Sequence, residues 1–195
     1  MTPKTIGAFT DFTRRTLLQS SIDIEAFVRD DIAKKIALEL DRTAIYGTGS
    51  SNQPLGLTQT SGIGSQSLTG TGTFGELIGM ETDVAVANAE GNSMKYLINA
   101  TTRGALKSTE KTSTSTANFV FENNQINGYQ AITTNQLVNN DVIFGDFSQF
   151  IVGMWSGLDL TVDPFAGATS GTVRIIALQD IDYAVRQAGA FCFAT

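Results

Sequence analysis

The chain has 195 residues, 42% of them hydrophobic, with 13 basic and 19 acidic side chains, a net charge of −6 and no histidine. That length supports one average domain or two small lobes, and no apolar run approaches the roughly 20 residues of a membrane helix. Without histidine there is no Ser-His-Asp or Cys-His catalysis and no His-containing metal site, and the lone Cys192 excludes an internal disulfide or a thiolate cluster.

Charge is spread unevenly. Residues 1 to 42 carry seven basic and seven acidic side chains, whereas 112 to 173 have no Lys or Arg but include Glu122, Asp141, Asp146, Asp159 and Asp163. A basic patch of the kind that binds nucleic acid is missing, so no specific nucleic-acid partner is expected. Met1-Thr2-Pro3-Lys4-Thr5 contains no apolar signal region, so a reducing cytoplasm and no membrane association are the expectation.

Residues 4 to 18 alternate imperfectly between apolar and polar and read as a strand entering a helix. That helix is predicted over 22–46, with Ser20 or Ser21 as N-cap and Asp23 and Glu25 in its first turn. Ile24, Phe27, Val28, Ile32, Ile36, Leu40, Ala44 and Ile45 recur in helical steps, while Arg29, Asp30, Asp31, Lys34, Lys35, Glu39, Asp41 and Arg42 occupy the remainder. At about 1.5 Å per residue the rod would be on the order of 37 Å long, a spine for other parts to lie on. Gly47 and Gly49 are placed to end it through positive φ. From Thr43 to Gly75 there is no charged residue, and Gly, Ser and Thr mark a boundary or polar crossing.

Thr73-Phe74-Gly75-Glu76 is a capping box, and Leu77, Met80, Val84 and Ala87 continue it as a second helix to about Ala89. Met94 to Asn99 reads as a covered strand, followed by a short helix capped by Thr101 or Thr102. Ser108 to Thr116 reads as a polar surface loop. Asn127-Gly128 signals a hairpin between Phe119-Val120-Phe121 and Tyr129 to Thr133. Val142 to Phe150 reads as a buried strand, and Leu158 to Pro164 as an alternating strand closed by proline. The tail from Thr172 to Phe193 is predicted to form long antiparallel strands covering the spine.

Candidate chemistry is sparse. Gly47-x-Gly49 follows a helix where a phosphate loop would precede one, and lacks the Gly-Lys-Ser/Thr ending. Asp30-Asp31 lie among lysines at ion-pair spacing; Asp180 with Asp182, and Asp141 with Asp146, are the other carboxylate pairs that acid-base chemistry could use. Trp155 and Phe150 could stack on a sugar, although core packing is the ordinary fate of such rings. No catalytic, cofactor-binding or metal-ligating residue is therefore assigned, and no enzyme or cofactor is expected; a carbohydrate-acting or carbohydrate-binding protein stays open as the lesser reading.

The stretch Ala44-Ile45-Tyr46-Gly47-Thr48-Gly49-Ser50-Ser51-Asn52-Gln53-Pro54-Leu55-Gly56-Leu57, after a charged spine helix, resembles the signature of tailed-bacteriophage major capsid proteins of the Hong Kong 97 type. Ile126 to Thr134, Ile143-Phe144-Gly145-Asp146-Phe147-Ser148 and Tyr183 to Phe191 resemble three further segments of that family, in the same order. The resemblance implies an α+β fold. A peripheral domain (1–70 and 151–195) would pack the spine helix on an antiparallel sheet, and an axial domain (71–150) would hold a central mixed sheet flanked by helices. It implies a structural subunit of an icosahedral phage or prophage capsid, self-assembling as pentamers and hexamers around DNA, with scaffolding and portal proteins as further partners. The expected location is the virion, with the host cytoplasm during assembly. An encapsulin-like compartment wall is the alternative within the fold. Family members carry an N-terminal arm and a long extended loop before the spine, and only about 20 residues precede it here, so most of both are expected to be lacking. With no Asn between Pro164 and Gly189, and no loop to bring a Lys, no Lys-Asn crosslink is expected either.

Overall fold

The computed structural model describes residues 1–13, 15, 24–112, 118–167 and 169–195. In chain order its elements are β1 (Lys4–Thr13), α1 (Ile24–Tyr46), β2 (Gly64–Gln66), α2 (Phe74–Val86), β3 (Met94–Ile98), α3 (Ala100–Leu106), β4 (Phe121–Glu122), β5 (Gln125–Ile126), β6 (Tyr129–Thr133), β7 (Val142–Asp146), β8 (Phe150–Met154), β9 (Asp159–Gly167), β10 (Thr172–Val185) and β11 (Phe191–Ala194). They fall into two compact units: Met1–Gly56 with Val152–Tyr183, and Leu57–Ile151 with Ala184–Thr195. The fold is α+β, as expected.

The first unit is built on α1, whose 23 residues extend about 34 Å. Its sheet is antiparallel where β1 and β9 pair with β10, and β8 also adjoins β10. Strand β1 alternates strictly, its even-numbered residues turned inward. Ala8 and Phe12 thereby meet Ile32, Ile36, Ile175 and Ala177, with Val28, Leu40 and Leu160 closing the margins of this core. Burial of four such branched or aliphatic side chains, at roughly 1.5–3 kcal/mol for each large one, is what fastens the spine to its sheet.

The second unit holds a seven-stranded mixed sheet in the order β2-β11-β7-β3-β6-β5-β4. Pairs β3 with β6 and β11 with β2 are parallel, and the other neighbours are antiparallel. Strand β7 is buried at all five positions, so its apolar run does not alternate. Helix α2 brings Leu77, Met80 and Val84, each fully buried, to a core that includes Tyr96, Phe144 and Phe191. The Tyr96 and Phe144 rings lie 4.5 Å apart, and Tyr129 meets Phe144 edge-on at 5.2 Å. The capping box is present: the Glu76 carboxylate accepts from the Thr73 amide at 2.7 Å and the Thr73 hydroxyl accepts from the Glu76 amide.

Several expectations are corrected. Residues 57–70 and 184–195 lie in the second unit, where the expected lobes placed them in the first. The cause is β11: its run Phe191-Cys192-Phe193 pairs with β7 on one side and with β2 on the other, so the tail covers the spine only as far as Tyr183. Helix α3 is capped by Asn99, whose side chain accepts from the Thr101 amide at 2.8 Å, and not by Thr101 or Thr102. Strand β9 runs on through Pro164 to Gly167; the register between β9 and β10 shifts there, and a bulge on an outer strand has no need of the proline N–H. Phe27 is 70% exposed, because it precedes Ile32 by five positions and so points away from the buried stripe. Ser20, Ser21, Asp23 and residues 113–116 of the loop expected over 108–116 lie outside the described residues.

Candidate assembly surfaces

The turn that follows α1 is rigid by geometry. Gly47 N donates to Thr43 O at 2.9 Å and ends the helix; Gly56 N donates back to Gly47 O at 2.8 Å, and Gly49 N to Pro54 O at 3.2 Å. A Cβ on Gly47 would stand 2.2 Å from Pro54 O, and one on Gly56 2.4 Å from Gly47 N. Gly47 is thus required for close approach, and it is Gly49, at φ 70°, that takes the left-handed turn. Gln53 closes the loop: its Oε1 accepts from the Thr48 amide at 3.1 Å and from the Thr48 hydroxyl at 2.8 Å, while its carbonyl accepts from Lys4 Nζ at 2.8 Å.

The outward face of the first unit's sheet combines fixed charge with bare apolar surface. Phe9 is 64% exposed and stands opposite Ile176; Asp11 stands opposite Arg174, and Gly7 opposite Leu178. The Arg174 guanidinium lies 4.5 Å from the centre of the Phe9 ring. It also grips Asp11 in a fork, Nε at 2.7 Å and Nη2 at 2.8 Å. Hydrogen bonding from Arg174 holds the Asp11 carboxyl below its ordinary pKa, and Asp11 raises that of Arg174 in return. A forked, stacked arginine has little rotational freedom left to lose when a partner covers it. Met154, Trp155 and Phe165 are further exposed apolar side chains of this unit, and exposed apolar surface beside an immobilised arginine has the composition of an interface centre.

The spine contributes a second line. Phe27 and Leu38 are both exposed and, eleven residues apart, lie within about 20° of each other around the helix. Two ion pairs flank this line: Asp30 accepts from Lys34 at 2.6 Å, and Glu39 from Arg42 Nε at 2.8 Å. Both belong to the exposed helix surface, where such pairs contribute little to stability.

The carboxylate pairs weighed from sequence do not converge. Asp30 is taken by Lys34; Asp180 accepts from the Thr5 hydroxyl at 2.6 Å and Asp182 from the Thr2 amide at 2.8 Å. Asp146 is buried and caps the turn at Phe147–Gln149 by accepting from the Ser148 amide. Among the described residues no group of three or more His, Cys, Asp or Glu side chains could hold a metal. Trp155 is half exposed and its backbone amide donates to Asp180 O. Cys192 is fully buried beside Asp83. The Phe9–Arg174–Asp11 cluster escaped sequence reasoning because 163 residues separate the ion pair; a phenylalanine on the otherwise polar face of β1 was the available signal.

Residues 1–195 match the phage capsid family. The chain is 38% identical over 196 residues to the major capsid protein of Halomonas phage phiHAP-1, covering all of this chain and 32% of the relative, so it spans about a third of that protein's length. Among solved structures, it is similar to the capsid of a native GTA particle, with a TM-score of 0.77, 18% identity, and coverage of 98% of this chain and 72% of the other. It also resembles a chain of Microbacterium phage Oxtober96, with a TM-score of 0.79, 14% identity, and coverage of 99% and 72%. The virus-like particle from Pyrococcus furiosus gives a TM-score of 0.70, 14% identity, and coverage of 99% and 76%. These likenesses establish the fold, that of Hong Kong 97-type capsid proteins.

Proposed function

The chain belongs to the phage capsid family, and we propose that it is the folded core of a major capsid subunit, a wall element whose copies associate into an icosahedral shell around viral DNA. The observation that carries this is the match to the family along all 195 residues, together with 38% identity to a phage major capsid protein. In this reading the first unit serves as the peripheral domain and the second as the axial domain, and the partners are other copies, with scaffolding and portal proteins during assembly in the host cytoplasm. The role is structural, not catalytic. The exposed Phe9–Arg174 surface and the spine's outer line of Phe27 and Leu38, flanked by ion pairs, suit repeated contact with identical neighbours. The family match and the 38% identical relative both point to phage capsids, which favours a virion over an encapsulin-like compartment.

Light scattering after size exclusion, across protein concentration and salt, tests the proposal, with negative-stain microscopy of the heaviest fractions. Rings, sheets or shells are expected from the chain extended to the length of its phage relative. A soluble monomer at every concentration, from that extended chain, would overturn it.

A further inference from the structure

Asn127-Gly128 is the sole Asn-Gly in the chain. It joins β5 to β6 with Ile126 opposite Tyr129, and both turn residues are left-handed, at φ 48° and 87°, as a two-residue hairpin turn demands. Both are exposed. A Cβ built on Gly128 meets nothing within 4 Å, so no neighbouring atom crowds this side of the turn. The Asn127 side-chain amide donates from Nδ2 to Glu81 Oε2 at 2.8 Å. The other oxygen of Glu81 accepts from the buried Tyr96 hydroxyl at 2.6 Å. One amide hydrogen bond therefore latches the β5–β6 turn to α2, and through Tyr96 to the core of the second unit.

We propose that Asn127 is a deamidation site, and that Glu81 controls both its rate and its consequence. The Gly128 backbone nitrogen attacks Cγ of Asn127; the new N–C bond forms, the Cγ–Nδ2 bond breaks, and ammonia leaves with the proton from the Gly128 nitrogen. Water then opens the cyclic imide at either carbonyl to give aspartate or isoaspartate, with no change in oxidation state. While Nδ2 is bound to Glu81, Cγ is held toward α2 and the turn keeps its left-handed form, so ring closure waits for the latch to open. After reaction the donor has become a carboxylate facing the Glu81 carboxylate, and attraction is replaced by like-charge repulsion. Isoaspartate also adds a backbone methylene between Ile126 and Tyr129, which breaks their register. The hairpin is released from α2 and cannot relatch.

The test is long incubation of the intact protein in warm, mildly alkaline buffer, followed by peptide mass spectrometry and an isoaspartate methyltransferase assay. The amide-to-acid mass gain and isoaspartate are expected at Asn127 ahead of the other ten asparagines, and Glu81→Ala is expected to speed the reaction several-fold. Retention of the Asn127 amide while other asparagines react would overturn the site. An unchanged rate in a folded Glu81→Ala variant would overturn the latch. If Glu81→Ala does not fold, Asn127→Asp decides: its residues 125–133 should exchange amide hydrogen faster than in the parent protein, and equal protection would overturn the proposed release.

Discussion

A single methyl group tests the turn that ends the spine helix. Gly47→Ala would drive a Cβ to 2.2 Å from Pro54 O, an atom of the backbone that cannot swing aside. The expected cost is about 3 kcal/mol, the upper part of the overpacking range. Gly104→Ala, inside α3 with nothing within 4 Å of the new carbon, should instead stabilise by roughly 0.5–1 kcal/mol. Urea midpoints measured in parallel read both, and equal midpoints would remove the close-approach argument. Glu76 makes a test in pH. Hydrogen bonds from the Thr73 amide and then the Thr69 hydroxyl bring its pKa down from 4.5 to about 2. A carboxylate depressed in the folded state contributes stability above its ordinary pKa and loses it as pH falls through the folded one. The margin in melting temperature of the parent protein over Glu76→Gln should be complete at neutral pH, shrink below about 4.5 and vanish near 2; a margin independent of pH would contradict the assignment.

At the scale of elements, α1 has one face that fastens it and one that does not. Ile36→Ala, at a side chain only 3% exposed, should cost about 3 kcal/mol, whereas Phe27→Ser should stay within about 0.5 kcal/mol, both read from unfolding of the isolated protein. For α3, Asn99→Ala removes the cap on Thr101 and the bond to Leu137 O together, an expected loss of about 2 kcal/mol in the same assay. These contrasts follow what sequence can and cannot carry. Steps of four from Val28 through Ile32 and Ile36 to Leu40 marked the buried face, and the capping box marked the start of α2, since both signals are local. Asn99 was overlooked because it closes a strand and opens a helix at once, and strand-like neighbours masked its capping role. The destination of Phe191-Cys192-Phe193 was illegible for another reason: an apolar run declares that it is buried, but not against which sheet. The Asp11–Arg174 fork likewise depends on register between strands more than 160 residues apart, which no local period encodes.

For the whole molecule, Cys192 reports integrity of the second unit. Burial, with the Asp83 carboxylate close by, pushes its thiol up to about 12, so almost no thiolate exists at neutral pH. Alkylation should be negligible in the native protein and complete in denaturant, and rapid native labelling would contradict the burial. On the assembly reading, Phe9→Ser should leave the urea midpoint near the parent value while reducing self-association by light scattering; unaltered association would move the contact elsewhere. The sheet orders also bear on how a subunit comes into being. Interior strand β10 of the first sheet and interior strand β11 of the second are both made late, yet their neighbours include β1 and β2 from the first third of the chain. At synthesis rates of about 5–20 residues per second, the apolar stripe of α1 waits roughly ten seconds for the strand that covers it. Neither unit can be completed by a nascent chain that stops short of residue 183. A chain that stopped before Thr172 would lack both β10, which lies between β1 and β8, and β11, which joins β2 to β7, so neither sheet closes around its early strands until residues 172–194 have emerged.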